Sequence, residues 1–154
     1  MTEPDFRAQL EALREPPPMT LEEALAASDP VSEIVRRIGR GGYETMTPPE
    51  RVFWSVASFL DEVLNEGLEA ALCGETREVL PLVREFARRY GSETLQEMMD
   101  EVAAAAADMD PDCLDALTER FFEHEDLFVE GLVALASNNK DAFDLDTPRA
   151  GKGG

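Results

Sequence analysis

Residues 47–67, TPPERVFWSVASFLDEVLNEG, contain the clearest helix signal in the chain. Thr47 and Glu50 form a capping box, in which each side chain can accept a hydrogen bond from the other residue's backbone N–H, and Pro48 suits the first helical position. Apolar residues then recur at intervals of three and four, which places them on one helix face. They are Val52, Phe53, Val56, Phe59, Leu60 and Val63. The stretch predicts an amphipathic helix that ends near Gly67.

The rest of the chain carries further helix starts and stops, without alternating strand patterns or an Asn-Gly hairpin. Capping residues and prolines predict helices over about 5–14, 20–28, 30–39, 76–90 and 92–107, with a short piece at 68–73. A further helix opens at Asp110-Pro111, and its apolar register falters at His124-Glu125, which indicates two helices separated by a bend. We therefore predict an all-α, single-domain bundle of about 7–8 helices with no sheet.

The charge of the chain restricts its partners. It has 33 acidic and 14 basic residues, for a net charge of −19. Direct binding to nucleic acid or to an anionic membrane needs a basic surface, so we expect neither and favour a cationic partner. No signal-peptide start and no apolar run of about 20 residues is visible, which predicts a cytoplasmic protein. Cys73 and Cys113 are expected to be small core residues in a reducing compartment.

The acidic residues concentrate in residues 91–130, which contain thirteen acids and one base, Arg120. We expect these thirteen acids to form one partner-binding face, called here the acidic surface. They are Glu93, Glu97, Asp100, Glu101, Asp108, Asp110, Asp112, Asp115, Glu119, Glu123, Glu125, Asp126 and Glu130. Acids four residues apart on a helix lie about 6 Å apart along its axis, a spacing on the scale of a phosphate backbone. Each like-charged pair costs about 0.2–0.5 kcal/mol.

The segment Glu119–Gly131, ERFFEHEDLFVEG, combines these acids with three phenylalanines. We expect at least two of Phe121, Phe122 and Phe128 to lie in the core, because large aromatic side chains are usually buried. The carboxylates then occupy the outward faces. A solvated surface without a partner is the plainest alternative interpretation of such a charge run.

Other chemistry has weaker support. Asp108–Glu119 has acids at positions 1, 3, 5 and 12 of a calcium loop, but Cys113 stands where the turn needs glycine, and Asp110-Pro111 favours a helix start. His124 is the only histidine, which leaves no histidine pair for zinc. No glycine-rich phosphate loop follows a strand. We therefore predict no catalytic residue, no metal site and no cofactor.

Three stretches resemble the bacterial DNA-mimic protein family, an acidic all-helical domain. MTPPERVFWSVASFLDEVLNEGLEAAL is similar to its opening motif, FARRYGSETLQEMMDEV to its junction between helices, and LDALTERFFEHEDLFVEGLVALASNNKDAF to its last helices. The resemblance covers about residues 46–144. The positions that carry it are Arg51, Glu62, Val63, Asn65, Gly67, Tyr90-Gly91-Ser92 and the terminal Phe143.

The resemblance implies a DNA-mimic-like helical domain at 46–144. Residues 1–45 lie outside the resemblance, and their helix signals predict an N-terminal helical extension. The polar composition of residues 145–154 predicts a disordered tail. The resemblance also implies a non-enzymatic bacterial protein whose acidic surface blocks the DNA-binding face of a regulator or other nucleic-acid-binding protein. The partner would be a basic DNA-binding protein, such as a transcription regulator or a nuclease, and a homodimer is compatible with the family. Two alternatives stay open: an immunity or antitoxin protein that neutralises a cationic nuclease toxin, and an acidic scaffold or weak calcium-binding module.

Overall fold

The computed structural model describes residues 19–145, which fold into helices joined by short turns. The eight α-helices are α1 (Leu21–Leu25), α2 (Pro30–Ile38), α3 (Pro48–Glu66), α4 (Leu68–Cys73), α5 (Leu80–Tyr90), α6 (Glu93–Asp108), α7 (Pro111–Glu123) and α8 (Glu125–Asn138). Short 3-10 turns lie at Gly39–Gly41, Tyr43–Thr45, Glu75–Val79 and Lys140–Ala142. The described residues contain no strand, so the all-α prediction is confirmed. The helix predicted over 5–14 lies outside the described residues.

Helix α3 is the central element of the bundle, and it packs against α2, α4, α5, α7 and α8. Its predicted capping box is present: the Thr47 hydroxyl accepts from the Glu50 N–H, and the Glu50 carboxylate accepts from the Thr47 N–H at 3.0 Å. The predicted apolar face is buried except for Val52, which is half-buried. The helix ends before Gly67, whose φ of +93° suits glycine.

The core continues from α3 into α7 and α8 through aromatic contacts. The Phe121 ring lies 6.0 Å from Phe59 and stacks on Phe128 at 5.2 Å between centroids. Phe121 and Phe128 are fully buried, which confirms the expectation of at least two core phenylalanines. Phe122 is 56% exposed, because the next position on a helix is rotated by about 100° from its neighbour.

The residues before α3 belong to the same core. Helices α1 and α2 bury Leu21, Ala24, Ile34 and Ile38 against the other helices. The helix predicted over 20–28 begins with a capping box formed by Thr20 and Glu23. The described part of the predicted extension, residues 19–45, is therefore packed on the main domain.

At the other end, the first residue of the predicted tail is packed. Leu145 is buried, and Arg40 Nη2 donates to its carbonyl at 3.3 Å. The packed part of the chain therefore runs through Leu145, one residue past the predicted boundary. The rest of the predicted tail, 146–154, lies outside the described residues.

The prediction that both cysteines lie in the core is wrong. Cys73 and Cys113 are exposed free thiols. In α4 the buried face is filled by Leu68, Ala71 and Leu72, which leaves Cys73 at the helix end facing outward. Cys113 precedes Leu114, the first buried residue of α7, and is rotated by about 100° from it around the helix, which leaves it exposed.

Candidate partner-binding surface

A tight turn brings α6 and α7, the two helices with most of the acids, against each other. Met109 ends α6 in the left-handed conformation, with φ of 52°, and its N–H donates to the Ala105 carbonyl at 2.8 Å. Asp110 and Pro111 then start α7 at once. Each helix carries a row of three acids at intervals of four residues: Glu93, Glu97 and Glu101 on α6, and Asp115, Glu119 and Glu123 on α7. Because only two residues separate the helices, the two acidic rows lie on neighbouring elements.

All thirteen acids of the predicted acidic surface are exposed. In α6 the inward face is occupied by Leu95, Met98, Met99 and Val102, so the glutamates at intervals of four point away from the core. In α7, Leu114, Leu117 and Phe121 have the same effect. Glu125, Asp126 and Glu130 extend the surface along the first half of α8.

Two of these acids have internal basic partners, which the sequence analysis did not predict. Arg84, on α5, donates to Asp100 at 3.1 Å, and Arg120, on α7, pairs with Glu101 on α6. The second pair ties the two acidic helices together. The other eleven acids form no salt bridge within the part of the chain that the structure describes.

Helix ends account for some of the acids and not for others. Glu93, Asp112, Glu125 and Asp126 lie in first helical turns, where a carboxylate is favoured by the helix dipole, each by about 0.3–1 kcal/mol. Glu97, Asp115, Glu119 and Glu123 lie further along their helices and gain nothing comparable from the dipole. These four acids need another explanation.

Asp108 is placed where the dipole disfavours it. It is the last residue of α6, whose last turn has no basic residue. Arg77 compensates from outside the helix: its Nη2 donates to the Ala106 carbonyl at 3.0 Å and its Nη1 to the Leu72 carbonyl at 3.4 Å. A long-range arginine of this kind carries no sequence signal, because the contact depends on how α4 meets α6.

A groove of about 430 Å³ runs between α6 and α7 within the acidic surface. Its floor is made of small and apolar side chains, and its rim carries charge. The lining residues are Glu101, Ala104, Ala105, Asp108, Cys113, Ala116, Leu117 and Arg120. The acidic surface is therefore not uniformly polar.

Phe122 adds a second apolar feature that the sequence analysis missed. It is one of two large hydrophobic residues exposed in the described part of the chain, the other being Tyr43. The expectation that phenylalanine side chains are usually buried did not predict the exposure of Phe122. The helical register could have revealed it, since Phe121 and Phe122 cannot both face α3.

The arrangement of α7 does not fit a calcium loop. The helix begins at Pro111, so the ligands at loop positions 5 and 12, Asp112 and Glu119, lie about 10 Å apart along a helix and do not converge on one point. Among residues 19–145, no group of three or more His, Cys, Asp or Glu side chains is arranged to hold a metal ion. His124 is half-buried at the bend, and its N–H donates to the Arg120 carbonyl at 2.9 Å.

Comparison with protein families places the chain in one of them. The family described as DMP19-like protein matches residues 44–145, close to the range of the resemblance noted above. The chain belongs to this family, which confirms the resemblance to DNA-mimic proteins. Searches of curated proteins and of solved structures give no significant match. No helix among the described residues is both long and apolar enough to cross a bilayer.

Proposed function

We propose that this DMP19-like protein is a non-enzymatic DNA mimic. Its acidic surface would bind the DNA-binding face of a basic regulator or another nucleic-acid-binding protein and exclude DNA from it. The observation that carries the proposal is the exposure of all thirteen predicted acids, of which only Asp100 and Glu101 have basic partners in the described chain.

The spacing of the acids supports phosphate mimicry. Successive acids of one row are about 6 Å apart along the helix, and the two helices that carry the rows, α6 and α7, pack against each other. A cationic cleft that normally follows a DNA backbone meets negative charge at a few-ångström intervals. No single carboxylate should dominate the binding energy, because the match is collective.

The fold supports the proposal by holding these charges in place. The acids project from helices whose other faces are buried in the core, and the Arg120–Glu101 pair links α6 to α7. A preorganised surface loses little conformational entropy on binding. Its field should also speed association with a basic partner and make that association sensitive to salt.

A charge-reversal variant tests the assignment of this surface. Four exposed acids without salt bridges are changed to lysine: Glu97, Asp115, Glu119 and Glu123. Wild-type and variant proteins are immobilised and exposed to a lysate of the cells that produce the protein. Retained proteins are eluted with increasing salt and then with duplex DNA, and circular dichroism checks the helix content of the variant.

A control variant carries the same charge change outside the acidic surface, at four other exposed acids. They are Glu44, Glu75, Glu78 and Asp141. We expect the wild type and the control to retain basic DNA-binding proteins that duplex DNA displaces, and the variant to lose them. Equal retention by the wild type and by the charge-reversal variant would refute the assignment of this surface.

A further inference from the structure

Two exposed aromatic rings of the described chain have different surroundings. Tyr43 is 45% exposed, and the guanidinium of Arg51 lies over its ring, 4.9 Å from the centroid. Phe122 is 56% exposed. Within the described residues, no cation covers its ring and no aromatic ring pairs with it. Arg51 therefore accounts for the exposed ring of Tyr43, whereas no cation of the described chain accounts for the exposed ring of Phe122.

Phe122 lies among carboxylates of the acidic surface. On α7 it follows Asp115 by seven residues and Glu119 by three, so all three share one side of the helix. Glu123 is the next residue and is rotated by about 100° from Phe122 around the helix. The Phe122 ring therefore lies beside carboxylates, on a surface whose negative charge attracts cations.

We propose that Phe122 is the anchor for an arginine side chain of the basic partner. This proposal rests on the proposed function and identifies the partner's contact chemistry. The guanidinium would stack on the ring face while its N–H groups donate to the carboxylate of Glu119, one turn away on the same side of the helix. Arginine suits this site better than lysine, because its planar and weakly hydrated head can stack and donate at once.

The Phe122 ring would supply an aromatic contact, which a row of phosphates does not have. The field of the carboxylates mainly speeds the encounter with basic partners and is weakened by salt. An aromatic side chain within a polar surround is a common source of binding energy at protein interfaces. Phe122 would therefore add a salt-insensitive, arginine-selective contact to the salt-sensitive attraction of the acids.

Charge-matched peptides test the proposal. Fluorescent nona-arginine and nona-lysine are titrated with wild-type protein and with Phe122→Ala, Phe122→Leu and Tyr43→Ala at low and moderate salt. We expect the wild type to bind nona-arginine about 3–10-fold more tightly than nona-lysine. Phe122→Ala and Phe122→Leu should lose most of that preference, because leucine retains apolar area without a π face. The part that remains comes from guanidinium groups that donate to both oxygens of a carboxylate. Tyr43→Ala should keep the full preference.

The outcomes separate this proposal from the proposed function. If neither peptide binds more tightly to the protein than to an unrelated protein of equal charge, the acidic surface itself fails as a binding site. If both bind but Phe122→Ala keeps the full arginine preference, only the anchor is refuted. Thermal unfolding of each variant checks the fold, which should persist because Phe122 is exposed.

Size-exclusion chromatography tests a competing role for Phe122. If the wild type is a dimer that Phe122→Ala converts to a monomer, the ring serves contact between two copies of the chain and the arginine anchor is refuted. An unchanged oligomeric state, together with loss of most of the arginine preference, supports the anchor.

Discussion

Replacing Glu97 and Glu119 with glutamine should stabilise the protein. Each residue is the middle member of a row of three acids, so two substitutions remove four like-charged pairs at a spacing of four residues. The pairs are Glu93–Glu97, Glu97–Glu101, Asp115–Glu119 and Glu119–Glu123. Both residues are exposed and form no salt bridge in the described chain, and glutamine has nearly the same helix propensity as glutamate.

The expected gain follows from the energy of such pairs. Four pairs at the usual repulsion sum to about 0.8–2 kcal/mol. The Arg120–Glu101 pair already offsets part of the repulsion between Glu97 and Glu101. We therefore expect a stabilisation toward the lower end of this range. The substitutions should nevertheless weaken binding to a basic partner, since the repulsion that they relieve comes from charges that the partner needs.

Urea denaturation provides the assay, because urea adds no ionic screening. The fluorescence of Trp54, the only tryptophan, reports unfolding. The control is Glu69→Gln with Glu125→Gln, which changes the charge equally but removes acids from first helical turns. The control should lose up to about 2 kcal/mol. If Glu97→Gln with Glu119→Gln destabilises the protein as much as the control does, or if its gain persists in high salt, the repulsion argument is refuted.

Two further predictions concern positions away from the acidic surface. Gly131→Ala should destabilise the protein by about 1–2 kcal/mol in the same assay, since an added Cβ would lie 2.8 Å from Cζ of the buried Phe86; unchanged stability would show that the ring can move aside. The Glu23 carboxylate accepts hydrogen bonds from the Thr20 backbone N–H and hydroxyl, and these hold the pKa of Glu23 below its ordinary value. The stabilisation of the fold by these hydrogen bonds is therefore fully present above the ordinary glutamate pKa and is lost as the pH falls through the lowered pKa of Glu23. Thr20→Ala should raise this pKa toward the ordinary value in an NMR titration, and an unshifted titration would contradict the role of the hydroxyl.

The helices could be predicted from sequence because their signals are local. The capping boxes at Thr20 and Thr47 and the prolines at Pro30 and Pro111 act within one turn, and the helices begin where these residues predict. Apolar periodicity likewise predicted which face of α3 is buried. The thirteen acids are exposed because apolar residues fill the buried faces of α6, α7 and α8.

The features that could not be predicted depend on contacts between distant segments. Arg84, Arg77 and Arg120 reach α6 from other elements, so the pairing of Asp100 and Glu101 has no local signal. The same applies to the packing of residues 19–45, whose burial depends on α3 and α8. The tendency of phenylalanine to be buried correctly predicted at least two core residues among Phe121, Phe122 and Phe128, but it did not say which one is exposed. That depends on the helical register.

Competition with DNA tests the central claim most directly. A DNA-binding protein retained by the wild-type chain would be purified and bound to its labelled DNA duplex, and the wild-type chain would then be added in increasing amounts at several salt concentrations. DNA mimicry predicts that the chain releases the duplex completely, without forming a ternary complex, and that its affinity for the partner falls as salt increases, as the affinity of DNA does. A stable ternary complex, or release that is unaffected by salt, would contradict the account.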